Sequence, residues 1–295
     1  MIAVLGLGAM GLPMATHLAR TFEVRAFDVA AARLDLAAEA GVAGALSPVE
    51  AARGADVVLV GVRDAAQLEQ ALFADDGAVH GLAAGAVVVL TSTVGAPAAQ
   101  SAAGRLAVHG VHLVDAPVSG GPVRAGTGDL LIMVGAPDDA LGLARPVLEE
   151  LSSTLAVVGP RVGDGQVLKT VNQLLCGIHT AAAAEALALA HALGLDLDAT
   201  LDVLGAGAAA SFMLADRGPR IAARLTGREP ELRSRLDVIS KDMGIVARLA
   251  RDAHVATPVA SAAEQLYLLA EARGLAAEDD SVVATTLTRA SEEAL

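Results

Sequence analysis

Short runs of β-branched and aliphatic residues alternate with alanine-rich stretches through the first half of the chain. Ile2–Leu5, Glu23–Phe27, Val57–Val60, Val87–Leu90 and Val111–Val114 stand out, followed by Leu130–Val134 and Leu155–Val158. Continuous apolar runs of this length, bounded by turn residues, predict strands covered on both faces, as in a parallel sheet. The stretches between them, beginning with Leu12–Arg20, have the composition of the helices that would cover it. After Gly165 the pattern changes, and a run almost free of breakers extends to about Leu193. At ~1.5 Å per residue, roughly 28 residues predict a helix about 42 Å long, enough to bridge two domains. Helical stretches follow over 196–206, 211–225, 236–253, 258–273 and 279–294, with no strand pattern between them. The expected architecture is an α/β domain over 1–162 and an all-α domain over 163–295 that begins with the long helix.

The turn after the first strand carries Gly6-Leu7-Gly8-Ala9-Met10-Gly11 and opens the first helix. In that context glycines permit a tight turn, close approach of the backbone to a pyrophosphate, and close helix–strand packing. The helix start adds N–H groups and a partial positive charge. Asp28 ends the second strand 17 residues after Gly11. A carboxylate there accepts hydrogen bonds from both adenosine ribose hydroxyls and repels a 2′-phosphate. The expected cofactor is therefore NAD rather than NADP, with Arg25 and Arg33 close enough in sequence to soften the preference.

Charge and cysteine content narrow the field of partners. A formal net charge of −13 argues against nucleic acid and anionic membrane, either of which calls for a basic face. The single cysteine, Cys176, excludes an intramolecular disulfide and fits a reducing cytoplasm, and no Cys/His group has zinc spacing. His109 and His112 read as the lead-in to a strand. Met1 enters an apolar run with no basic segment before it, so no cleavable signal is expected. The almost uncharged stretch 77–104 is broken by Gly81, Gly85, Thr91, Ser92, Thr93, Gly95 and Pro97, and reads as loop, strand, loop and helix rather than a membrane span. Asp75-Asp76 and Glu278-Asp279-Asp280 read as solvated turns or helix starts.

Lysine usage points to chemistry. The chain has two lysines, Lys169 and Lys241, against nineteen arginines. Arginine serves for surface charge but cannot exchange a proton at neutral pH, whereas lysine can. Lys169 sits in Gly163-Asp164-Gly165-Gln166-Val167-Leu168-Lys169-Thr170-Val171-Asn172, near the start of the long helix. Lys169 and Asn172 project from one helix face, which Gln173 and Cys176 extend. An amine and an amide so placed hold a hydroxyl or carbonyl oxygen while a proton is relayed. Asp115-Ala116-Pro117-Val118-Ser119-Gly120-Gly121 follows a strand and presents a hydroxyl and two unhindered backbone amides, a donor set suited to a carboxylate.

With these motifs in order over essentially the whole chain, the sequence resembles the β-hydroxyacid dehydrogenase family, which includes 3-hydroxyisobutyrate, tartronate semialdehyde and L-threonate dehydrogenases. The resemblance rests on Gly6–Gly11, on Asp115–Gly121 with Gly128 after it, on Gly163–Asn172, and on Lys241-Asp242. It implies a Rossmann-like dinucleotide-binding domain joined by a long helix to a helical domain, usually in dimers or tetramers. It also implies that Lys169 is the catalytic acid/base and that Ser119, Gly120 and Gly121 bind the substrate carboxylate. Asn172 would hold the reacting oxygen, Thr93 would lie near nicotinamide, and Lys241 would close over cofactor and substrate. Phe212, beside Met213, would shape the distal pocket, with core packing the simpler reading of Met213.

Asn172–His179, Ala184–Leu187, Asp237–Gly244 and Glu278–Ser281 look most like the L-threonate dehydrogenase branch. Two departures stand out. That branch more often carries His at the position of Asn172, which leans toward tartronate semialdehyde reductases. Arg63 stands where many relatives have proline or a neutral residue beside the cofactor. The expected activity is NAD-dependent oxidation of a small hydroxy acid such as L-threonate or 3-hydroxyisobutyrate. The alternatives are a tartronate or succinic semialdehyde reductase on the same fold and, outside enzymes, a nucleotide-sensing or scaffold protein. The expected setting is the cytoplasm, with a small-molecule substrate, a homo-oligomer, and no metal, nucleic acid or membrane.

Overall fold

Valine-rich runs need partners on both sides, and the computed structural model, which describes residues 1–288, supplies them in one sheet. The first half runs β1 (Ile2–Leu5), α1 (Gly11–Leu18), β2 (Val24–Phe27), α2 (Ala31–Glu39), β3 (Ala43–Gly44), α3 (Pro48–Ala52) and β4 (Val57–Val60). It continues through α4 (Ala65–Phe73), β5 (Val87–Leu90), α5 (Ala96–Val108), β6 (His112–Asp115), β7 (Val118–Ser119) and α6 (Gly121–Ala125). β8 (Leu130–Gly135), α7 (Asp138–Leu151) and β9 (Ser152–Gly159) complete it. Then come α8 (Asp164–Ala192), α9 (Leu197–Ala206), α10 (Phe212–Leu225), α11 (Leu236–Asp252) and α12 (Pro258–Ala272). The chain divides into two units, Met1–Lys169 and Thr170–Leu295, so the division falls inside α8.

In the first unit the strand order is β3-β2-β1-β4-β5-β6-β8-β7, with β9 paired to β8. Strands from β3 through β6 are parallel, and the order reverses direction between β1 and β4. Such a reversal opens a crevice beyond the strands' C-terminal ends. Alternate residues of each strand feed two separate cores: Val4, Leu59 and Val89 on one face, Leu5, Val60 and Leu90 on the other. Fully burying a Val or Leu contributes about 1.5–3 kcal/mol, which explains why the central runs carry no polar residue.

The sheet is not parallel throughout, contrary to the sequence expectation. β8 runs antiparallel to β6 and β7 and parallel to β9. β6 and β7 share one register on β8, with Asp115 opposite Gly135 and Val118 opposite Ile132. They are one strand bent at Pro117, which has no N–H to give the ladder but whose carbonyl accepts from Met133 N at 3.0 Å.

The second unit packs α8 against α10, α11 and α12 through Leu187, Ile221, Leu236, Ile239 and Tyr267. Apolar and 29 residues long, α8 has the length and composition of a bilayer-crossing segment, yet it carries Lys169, Asn172, Gln173 and Glu185 along its course. The helix expected over 279–294 is instead a 3-10 helix at Asp280–Thr286, and residues 289–294 of that expectation lie outside the described residues. Asp279 and Asp280 are not solvated either: they are 1% and 0% exposed. Arg220 donates to Asp279 at 3.0 Å and Arg217 to Asp280 at 3.0 Å, so two arginines one turn apart on α10 compensate both charges. Asp75 and Asp76 are exposed, as expected.

Candidate functional site

The C-terminal ends of β1, β2, β4, β5 and β6 lie along one edge of the sheet, and the sequence motifs of the first unit gather there. Gly6 has φ +92°, and a Cβ on it would lie 2.5 Å from the Gly61 carbonyl oxygen after β4. A Cβ on Gly11 would collide with the Gly6 carbonyl oxygen, whereas one on Gly8 would meet nothing within 4 Å. Two of the glycines are thus demanded by the protein's own packing. The third keeps an open face of the loop bare, which fits a cradle for a ligand's phosphates. Leu7, Ala9 and Met10 complete the loop, with Met10 as the residue preceding α1.

Asp28 contributes to the same loop. Its carboxylate accepts from Leu7 N at 2.6 Å and from Ala30 N at 2.8 Å, so it fixes the fingerprint turn as well as carrying a charge at the end of β2. Arg33 is exposed. Arg25 is turned to α3, where its guanidinium donates to the carbonyls of Glu50 and Arg53. The expectation that Arg25 softens the cofactor preference is therefore corrected: its charge caps a short helix.

After β5, Thr91 and Ser92 hydroxyls both donate to the Val60 carbonyl, and Ser92 Oγ also accepts from Val62 N at 2.8 Å. These two residues tie β5 to β4, and Thr93, half-buried, follows them. Ser119, Gly120 and Gly121 lie at the end of β7 and the start of α6, each partly exposed. Gly120 and Gly121 have φ of +136° and +77°, a backbone that side chains with a Cβ avoid.

The start of α8 is anchored by two residues that the sequence did not single out. Gly163 precedes the helix and has no side chain to cap it. Asp115, at the end of β6, caps it instead, its Oδ2 accepting from Gly163 N at 3.0 Å and Gln166 N at 2.9 Å. Gln166 is fully buried and bonds the β5–α5 turn and Asp115 with its side chain. Burial is the largest influence on Asp115 and lifts its carboxyl to about 6, against the pull of hydrogen bonds from Gln166, Gly163 and Gly165. Lys169, three residues after Gln166, is 6% exposed, so it is not a solvated lysine on a helix face.

In the second unit the structure links Asn172 to Lys241 through a chain of side chains. Asn172 Nδ2 donates to Gln173 Oε1 at 2.9 Å and to Cys176 Sγ at 3.4 Å. Gln173 Nε2 donates to Asp242 Oδ2 at 2.6 Å, and Lys241 Nζ lies 3.0 Å from Asp242 Oδ1. Gln173 and Asp242 are thus site-region residues whose partnership, 69 positions apart, no local pattern reveals. Phe212 stands apart from this chain, 61% exposed at the first residue of α10, while Met213 is buried in the core.

Comparison with known proteins identifies the family. Residues 1–159 match the NAD binding domain of 6-phosphogluconate dehydrogenase, and residues 163–287 match the NAD-binding family of NADP-dependent 3-hydroxyisobutyrate dehydrogenase. L-threonate dehydrogenase of Cupriavidus necator is 40% identical over 96% of this chain and 94% of its own length. NAD-dependent L-serine dehydrogenase of Pseudomonas aeruginosa is 32% identical over 96% of both chains. The crystal structure of a 3-hydroxyisobutyrate dehydrogenase from Salmonella typhimurium superposes with a TM-score of 0.90 at 32% identity, covering 97% of this chain and 99% of that one. Matched over both units, the chain belongs to the 3-hydroxyisobutyrate dehydrogenase-like β-hydroxyacid dehydrogenase family of NAD(P)-dependent oxidoreductases.

Proposed function

We propose that this protein oxidises a small hydroxy acid, L-threonate first among them, with Lys169 as the proton relay. The observation that carries the reading is the burial of Lys169, 6% exposed in a chain that uses arginine for its other cationic side chains apart from Lys241. Ser119 and the backbone N–H groups of Gly120 and Gly121 supply donors for the substrate carboxylate. Asn172 orients the reacting hydroxyl, and Lys169 takes the hydroxyl proton as the C–H bond breaks. Lys241 and Phe212 are assigned to substrate enclosure.

The cradle formed by Gly6, Leu7, Gly8, Ala9, Met10 and Gly11 holds the pyrophosphate. Asp28 would hold the ribose, and Thr93 and Lys241 would serve the nicotinamide end. NAD, when bound, would supply the hydride acceptor for this oxidation. Asp28 makes NAD the expected partner, since its carboxylate repels a 2′-phosphate.

One observation favours a second reading: Asn172 stands where the L-threonate branch more often has His, which favours a reductase of tartronate or succinic semialdehyde. A homo-oligomer is supported by Val167, Val171 and Leu175, one stripe of α8 that is 42–50% exposed. A cytoplasmic setting is supported by the lone cysteine.

The test is NADH formation over L-threonate, D-threonate, L-serine, D-glycerate, 3-hydroxyisobutyrate and 4-hydroxybutyrate, with Lys169→Arg alongside. L-threonate is expected to give the strongest response. Arginine keeps the charge but cannot relay the proton, so turnover should be lost with NAD binding kept. Retention of more than about a tenth of kcat, a loss under ~1.4 kcal/mol, would rule Lys169 out as the relay.

A further inference from the structure

Gln166 uses every hydrogen-bonding position of its side-chain amide inside the first unit. Its Oε1 accepts from Val94 N at 2.9 Å and Gly95 N at 3.0 Å, and its Nε2 donates to Ser92 O at 2.9 Å and Asp115 Oδ1 at 2.8 Å. Three of these four bonds bracket Thr93, from the residue before it and the two after it. The fourth reaches the carboxylate that caps α8. Gln166 is itself in the first turn of that helix, with Lys169 three residues further along it.

We infer that Gln166 is a positioning residue, holding the Thr93 turn and the Lys169 helix in fixed register by one buried amide. The inference rests on the dehydrogenase reading for its catalytic consequence, though the clamp itself does not depend on it. The chemistry demands this side chain. Only an amide presents two acceptor lone pairs and two N–H donors from one planar group. Glutamate has the shape but no donor, methionine the reach but no polarity, and asparagine is one methylene too short. Loss of the amide leaves Val94 N, Gly95 N and Ser92 O without this partner in a buried setting, and the turn must shift to find others. A displacement of about 1 Å between reacting groups is enough to cost on the order of 100-fold in rate.

The experiment compares Gln166→Met and Gln166→Asn, whose amide is one methylene short, with the unaltered chain. It reads kcat and KM on the substrate identified above, NADH affinity by fluorescence, and amide hydrogen exchange over residues 92–95. The expected result is a fall of about 100-fold in kcat, with NADH affinity within about threefold and exchange at 92–95 raised about tenfold or more. Because Gln166→Asn stays neutral and only shortens the reach of the amide, it remains readable should Gln166→Met fail to fold. Exchange at 92–95 no faster than in the unaltered chain would overturn the clamp. A kcat within about fivefold of the unaltered chain, or an affinity loss as large as the kcat loss, would overturn the positioning role. If the unaltered chain is silent on every substrate, the dehydrogenase reading falls by itself, and exchange still decides the clamp.

Discussion

Two groups of buried carboxylates hold this molecule together by opposite means. In the first unit Asp115, fully buried, is held by neutral donors: the backbone N–H groups of Gly163, Gly165 and Gln166 and the Gln166 side-chain amide. In the second, Asp279 and Asp280, equally buried, face the guanidinium groups of Arg217 and Arg220. Burial raises the Asp115 carboxyl and dipoles recover part of the cost. Burial also works against Asp279, but the Arg233 backbone, Ser281 and Arg220 outweigh it and hold that carboxyl below its usual range. Beside the same arginines Asp280 is pushed above its usual range, because burial outweighs Arg217 and Arg220 there and Asp279 adds repulsion. Dipoles fix the geometry and leave the ionisation poised. The neutral donors around Asp115 serve a helix start, and the arginines serve a joint between α10 and the 3-10 helix.

The largest effect expected from disturbing this contrast is Arg220→Met. It strips the guanidinium from Asp279, Asp280 and Asp216 together, and breaking a buried pair costs about 3–5 kcal/mol. Urea unfolding reads it directly, and a loss under about 1 kcal/mol would mean that the arginine is not what keeps those charges buried.

Asp115→Asn probes the other side through pH. The carboxyl titrates near 6 when folded against 3.8 when not. The cost of its buried charge is therefore present in full above pH 6 and gone below 3.8. Going from pH 7 to pH 4, the unaltered protein should gain about 2–3 kcal/mol relative to Asp115→Asn. Parallel dependence of the two proteins on pH would mean that Asp115 titrates like an exposed carboxylate.

Arg105→Ala gives the smallest effect and calibrates both. This arginine pairs with Glu69 and stacks 3.7 Å from the Phe73 ring centroid, with about half its side chain exposed. Its loss should cost about 0.5–1 kcal/mol and less in high salt. A cost above ~2 kcal/mol would show that surface pairs rival buried ones here.

What could be read from the sequence was whatever its local pattern encodes. β1, β4 and β5 match their valine runs residue for residue because burial on both faces leaves no room for ambiguity. Lys169 and Asn172 share a helix face by spacing alone. β3 and β7, two residues each, were missed because pairing with a neighbour defines them and no pattern that short does. β8 turns back along β6 and β7 after α6, and its pairing partners are set by the whole sheet. Asp279-Asp280 looked solvated because their arginines lie about 60 positions away in sequence. Gln166 stood within a recognised segment, but its partners come from two other stretches of chain, and only the fold brings them to it.

The two side-chain amines also determine how this protein can be handled. Lys169 is buried and Lys241 sits against Asp242, so an acylating or reductive-methylating reagent finds, besides the N-terminus, nothing but residues assigned to the site. Coupling to a solid support through side-chain amines would tether the molecule by its own chemistry. Coupling through the carboxylates, of which there are 34, would spread the attachment over the surface, so the ordinary choice of immobilisation chemistry becomes a choice between blocking this protein and leaving it open.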